Sequence, residues 1–92
     1  MKTSWREDEI PYFCWDRPWT VRQVREALHN ARDAERTRLR AWIMREARFA
    51  DVWQFLSPRE VWADFGNLEP RLGRHRAFWG YILNAWHELG RV

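Results

Sequence analysis

Ala47-Arg48-Phe49-Ala50-Asp51-Val52-Trp53-Gln54-Phe55-Leu56-Ser57-Pro58-Arg59-Glu60-Val61-Trp62-Ala63-Asp64-Phe65 is the stretch on which the fold turns. Within it, Ser57-Pro58-Arg59-Glu60 is a complete helix start. The Ser57 hydroxyl is placed to accept from a backbone N–H that has no partner inside the helix. Pro58 falls at the first helical position, where its missing N–H costs nothing. Glu60 closes a capping box, and its charge suits the positive end of the helix dipole. Leu56 and Val61 have the spacing of a hydrophobic staple. A helix therefore begins at Pro58, and whatever precedes it ends by Leu56. Val52, Trp53, Phe55 and Leu56 before the turn, with Val61, Trp62 and Phe65 after it, need other helices on which to bury themselves. The corner reads as core; an aromatic ligand pocket is the sharper alternative.

Working outward toward the N-terminus, Asp51 stands near the start of a short helix over Ala50 to Leu56. Before it, Asp33 is the expected cap of a helix from Ala34 to Ala47, with Leu39, Trp42 and Ile43 as its buried stripe. Arg36, Arg38, Arg40 and Arg45 fall on its other faces, where Glu35 can pair with Arg38. This is the most basic helix of the chain, read either as a solvated face or as a surface for phosphate or an acidic partner. Thr20 repeats the logic of Ser57: it caps, Gln23 closes the box, and Trp19 with Val24 forms a staple. The helix it opens shows Val21, Val24 and Leu28 on one face and ends around His29-Asn30. Residues 1–19 lack helical period. Pro11 and Pro18 restrict themselves and their predecessors, so Ile10 to Trp19 reads as an extended strap whose aromatics cover the core. A peptide-like arm that docks on a partner is the other reading.

Toward the C-terminus, Gly66-Asn67 is the expected stop of the helix from Pro58 to Phe65. The longest helix is expected from Arg71 to Leu89, with Gly90 as its stop. Leu72, Phe78, Trp79, Ile82, Leu83, Trp86 and Leu89 make it a candidate central helix. Gly73, Ala77, Gly80 and Asn84 form a stripe of small residues along it. Each glycine costs roughly 0.5–1 kcal/mol against alanine, so a close approach should offset it: another helix of this chain, or a seam for a second subunit or partner helix. The first of these is the plainer reading, and genomic composition is the remaining account.

The expected fold is all-α, a compact bundle of four to five helices with an extended aromatic N-terminal strap. One domain spans residues 1–92, divided into the strap (1–19) and the bundle (20–92). Eight Trp and five Phe compensate for the shortness of a chain of 92 residues, since aromatics bury the most area per residue. The single cysteine, Cys14, allows no intrachain disulfide, which fits a reducing cytoplasm. The charged opening of the chain is no signal peptide, and no apolar run approaches the ~18–20 residues of a membrane span. The expectation is a cytoplasmic protein with no membrane partner. Its 16 basic and 13 acidic groups give a net charge of +3, mixed along both halves of the chain.

No catalytic set, cofactor motif or metal site is legible. His75 and His87 lie about 18 Å apart along one expected helix, too far to share an ion, and His29 has no ligand spacing with either. Cys14 has no motif around it, and there is no glycine-rich phosphate loop. The corner at Ser57 superficially resembles a helix-turn-helix. Its second helix, however, offers Arg59 as the only strong base-reading side chain before Val61 and Trp62.

Pro11-Tyr12-Phe13 with Trp15-Asp16, Ala34-Glu35-Arg36, Arg45 to Trp53, and Phe55 to Val61 together resemble the pattern of a group of short bacterial proteins. Members of that group are often encoded beside a nucleotidyltransferase of the abortive-infection toxin type. The likeness covers residues 10–62 and extends loosely into the last helix. It implies an antitoxin-like or accessory partner of such an enzyme, and brings no assigned functional residue with it. The expected function is non-enzymatic protein binding, with Arg36, Arg40, Gly73, Ala77, Gly80 and Asn84 as candidate contacts. The alternative is nucleic-acid binding through Arg38, Arg40, Arg45, Arg71, Arg74 and Arg76. A structural homodimer is the third possibility.

Overall fold

The expected helix starts rest on local hydrogen bonds, and a computed structural model, which describes residues 5–92, contains them. Ser57 Oγ accepts from the Glu60 N–H at 3.2 Å while Glu60 Oε1 accepts from the Ser57 N–H at 3.1 Å. Thr20 and Gln23 make the same reciprocal pair at 3.2 and 2.8 Å. Six α-helices follow: α1 (Val21–Asn30), α2 (Asp33–Glu46), α3 (Phe49–Val52), α4 (Pro58–Ala63), α5 (Phe65–Leu68) and α6 (Arg76–Glu88). Among the described residues there is no strand, so the chain is an all-α bundle. No helix among them is long and apolar enough to cross a membrane.

The first four residues of the expected strap lie outside the described ones. Of the rest, Pro11, Phe13 and Cys14 are buried, but Trp15, expected to cover the core, is 77% exposed. Phe13 sets its ring edge against Trp42 and Phe55 at centroid distances of 5.5 and 5.4 Å. The carbonyls of Glu9 and Glu7 accept from the N–H groups of Val21 and Arg22, two donors that the first turn of α1 leaves without helical partners. The strap is not straight, because the Cys14 N–H donates to the Pro11 carbonyl and closes a tight turn. Tyr12 anchors it from outside: its hydroxyl donates to Asp51 Oδ2 and accepts from the Arg48 N–H, both at 2.6 Å.

Four expectations need correction. Asp33 is not the cap of α2; Arg32 holds that position with no side-chain hydrogen bond, and Asp33 sits inside the first turn, where its charge suits the dipole. The helix ahead of the corner stops at Val52, with Trp53 to Phe55 in turns. Gly66-Asn67 stops nothing: the break falls at Asp64, and the chain re-enters helix as α5. Asp64 departs from helical geometry where its carboxylate accepts from Thr37 Oγ1 and Arg40 Nη1 of α2.

The helix expected from Arg71 begins only at Arg76, after two 3₁₀ turns over Glu69–Arg71 and Gly73–His75. Gly73 has φ +56°, a left-handed conformation that ends helix propagation and that side-chain-bearing residues rarely adopt. Shortened, α6 is not the central helix. That place belongs to α2, which touches α1, α3 and α5 and buries the consecutive residues Ala41, Trp42, Ile43 and Met44. At the far end Gly90, at φ +74°, stops α6 as expected. The N–H of Arg91 donates to the Trp86 carbonyl and that of Gly90 to the His87 carbonyl, the pairing of a Schellman motif.

Candidate docking face on the last helix

Helix α6 is held to the bundle along one side. Trp79 and Leu83 are buried, and Trp79 Nε1 donates to the Met44 carbonyl of α2 at 3.3 Å. Trp53 packs against Trp79 and Trp86 at 5.8 and 5.6 Å. The ring of His87 stacks on Trp62 at 4.4 Å. With these inward, the 100° turn per residue sets Phe78 on one flank, turns Tyr81 away from the bundle and brings Leu89 back to the flank of Phe78. They are 50%, 75% and 70% exposed. Phe49, itself partly exposed, sets its ring at 5.7 Å from Phe78 and extends the apolar surface beyond the helix.

Beside these large side chains runs what remains of the small-residue stripe. Gly73 lies in a 3₁₀ turn outside the helix, while Ala77 and Asn84 are exposed and Gly80 is half-buried. A Cβ placed at Gly80 would meet nothing within 4 Å. Among the described residues, therefore, nothing approaches Gly80 closely enough to require a glycine there. Asn84 Nδ2 donates to the Gly80 carbonyl at 2.7 Å.

The arginines divide into holders of the fold and an unneutralised group. Arg36, a candidate partner contact, closes the C-terminus of α1: Nε donates to the Leu28 carbonyl at 2.9 Å and Nη2 to the Ala31 carbonyl at 2.8 Å. Arg40, proposed for both roles, bridges α2 to the α4–α5 corner. Its Nη1 lies 3.1 Å from Asp64 Oδ2 and its Nη2 3.8 Å from Glu60. Neither stands on the α6 face. Arg38 pairs with Glu35 at 3.8 Å. Arg45 Nη1 donates to the Arg71 carbonyl at 2.8 Å, tying the 3₁₀ turns to the end of α2. Arg71, Arg74 and Arg76 are exposed, and among the described residues no carboxylate lies within ion-pair reach of them. Of the six residues of the nucleic-acid reading, the fold thus leaves these three, joined to Arg45.

A cleft of about 890 Å³ is lined by Thr37, Arg40, Glu60, Asp64, Asn67 and Arg71 among others. Arg40 lies within reach of both Glu60 and Asp64 there. Burial alone would raise the Asp64 pKa, but hydrogen bonds from Asn67, Thr37 and Arg40 outweigh it and hold the carboxyl below the usual carboxylate range. Burial also raises the Tyr12 hydroxyl, with the Asp51 carboxylate adding to it. The Cys14 thiol is pushed up to about 11 by burial, and then by Asp16. No group of three His, Cys, Asp or Glu side chains among the described residues could hold a metal ion.

Sequence reasoning placed Phe78 and Leu89 on the buried face and passed over Tyr81. The signal that could have found them is that the large apolar residues of α6, from Tyr81 round to Leu83, span about 200° of the helix, so part of that arc looks outward if one neighbour covers the rest. No protein-family model, curated protein or solved structure matches the chain.

Proposed function

We propose that the protein is a non-catalytic protein-binding module that receives a partner helix on the outer face of α6. The partner suggested by the sequence resemblance is a nucleotidyltransferase-type toxin, which the module would restrain or assist. The observation that carries the docking reading is the exposure of Phe78, Tyr81 and Leu89 within an arc of about 80° of α6. Exposed large apolar groups grouped on one element mark interaction surfaces, whereas scattered ones do not. A nucleic-acid role is the second reading, favoured by the unneutralised Arg71, Arg74 and Arg76; it requires binding that weakens steeply with salt.

The test is a pull-down of the tagged chain from its native host, with and without nuclease, repeated with Tyr81→Arg and Gly80→Leu. The reading expects a near-stoichiometric nucleotidyltransferase that survives nuclease and is lost with either variant while the fold is retained. Recovery that both variants leave intact would reject the α6 face. Recovery that nuclease abolishes would move the function to the arginines.

A further inference from the structure

The turn that opens α3 is closed by an atom from the strap. Arg48 is the N-cap of that helix and makes no side-chain capping bond. Asp51 stands three residues on, the place from which an acidic side chain can reach back to the N–H of the cap. Here the Tyr12 hydroxyl is set between the two: it accepts from the Arg48 N–H and donates to Asp51 Oδ2, both at 2.6 Å. The Arg48 guanidinium lies over the Tyr12 ring, 5.2 Å from its centroid. Asp51 is only 2% exposed. Among the described residues Tyr12 is the one hydrogen-bond donor to its carboxylate, whose Oδ1 is buried with no partner. A buried carboxylate with a single donor is costly, and far more so once that donor leaves.

We infer that Tyr12 is a latch through which the strap holds the aromatic layer between α3 and α6. Without the phenol, Asp51 must find water, and its own turn must lift to admit it. That turn cannot move alone. Phe49 and Trp53 stand on either side of Asp51, and both pack against α6. The Phe49 ring lies 5.5 Å from Trp79 and 5.9 Å from Trp86; the Trp53 ring lies 5.8 and 5.6 Å from the same two. Val52, buried in the core, ties the same turn to the rest of the bundle. Two arrangements of the molecule follow. In the closed one Tyr12 is docked, Asp51 is dry and α6 is packed. In the open one Tyr12 is away, Asp51 is hydrated, and α3 is loosened together with the side of α6 it supports. Coupling requires such an element with two positions, biased from both ends. A tyrosine bonded to an exposed carboxylate would transmit nothing, since water would replace it where it stood. The burial of Asp51 makes the difference. This coupling stands whatever the outer side of α6 meets, so it does not depend on the docking reading.

Native-state hydrogen exchange on the full chain tests the latch, amide by amide, with Tyr12→Phe and Asp51→Asn made singly and together. Removing the hydroxyl alone should speed exchange of the α3 and α6 amides roughly 10–100-fold, the range expected for one charged group left unsatisfied. It should do so through an opening in which the slowest amides of α1 and α2 stay protected. Adding Asp51→Asn should recover most of that loss, because an amide does not have to reach water as a carboxylate does. Three results would overturn the inference. Faster exchange confined to the strap and α3 would show that the site relaxes locally. Exchange of α6 only in step with α1 and α2 would show global unfolding and no separate open form. A loss that Asp51→Asn leaves unchanged would show that the buried charge plays no part. Should Tyr12→Phe alone fail to fold by circular dichroism, the double variant decides: a folded one supports the latch, and an equally unfolded one rejects it.

Discussion

Replacing Asp64 with alanine should unlock the corner between α2 and the α4–α5 break. In the native chain Asp64 accepts from Thr37 Oγ1 at 2.8 Å, Arg40 Nη1 at 3.1 Å and Asn67 Nδ2 at 3.0 Å. Its side chain is 13% exposed and that of Arg40 16%. A hydrogen bond to a charged group is worth about 1.5–3 kcal/mol, and three that share one carboxylate do not add. Solvent reaches part of the pair and Arg40 keeps Glu60 nearby, which brings the expected loss to about 2–3 kcal/mol. For a domain of this size that lowers Tm by roughly 10–20 °C. Urea unfolding followed by tryptophan fluorescence measures it directly. The effect has a definite pH dependence. The folded-state pKa of Asp64 lies below its unfolded value, so its stabilisation is present above the unfolded pKa, near 4, and fades as pH falls through the lower folded one. The stability curves of Asp64→Ala and the native chain should therefore separate at neutral pH and converge in strong acid. A loss below about 0.5 kcal/mol at pH 7, or a gap that persists in acid, would refute the reasoning.

Other outcomes follow from single features. Gly73→Ala should destabilise by about 1–2 kcal/mol, because φ +56° is strained for any L side chain even though the space beside it is open; thermal melts test it. Gly80→Ala should do the opposite and stabilise by about 0.5–1 kcal/mol, since a methyl there meets nothing within 4 Å and the position is helical. Cys14, buried and with its thiol pushed up to about 11, should resist a thiol reagent at pH 8 until the chain is unfolded, when it should react at the rate of a free peptide thiol.

Helix starts were legible where their cause is local. Ser57 with Glu60 and Thr20 with Gln23 satisfy backbone groups three residues away, so four letters suffice to specify them. The stop at Gly90 is similarly self-contained. Asp33 and Gly66 were misleading for the converse reason. A capping residue type is only one competitor for its position: Arg32 holds the cap of α2 with no side-chain bond, and the break falls at Asp64, where Thr37 and Arg40 meet its carboxylate. The candidate site was legible only in outline. The sequence held a small-residue stripe on the last helix, but the reading of Arg36 and Arg40 as surface contacts missed their carbonyl and carboxylate partners, eight and 24 residues distant.

By itself, then, the sequence determined the helical class, the capped starts of α1 and α4, the aromatic strap and the poverty of enzymatic motifs, because these depend on composition, period and nearest neighbours along the chain. The tertiary structure decided which helix is central and which side of α6 is left open. Residues 76–89 carry large apolar side chains over about 200° of the helix, from Tyr81 round to Leu83, more than one neighbour covers. Only the positions of Met44, Trp53 and Trp62, brought from elsewhere in the chain to meet Trp79, Trp86 and His87, choose one side for the core and leave Phe78, Tyr81 and Leu89 to the solvent.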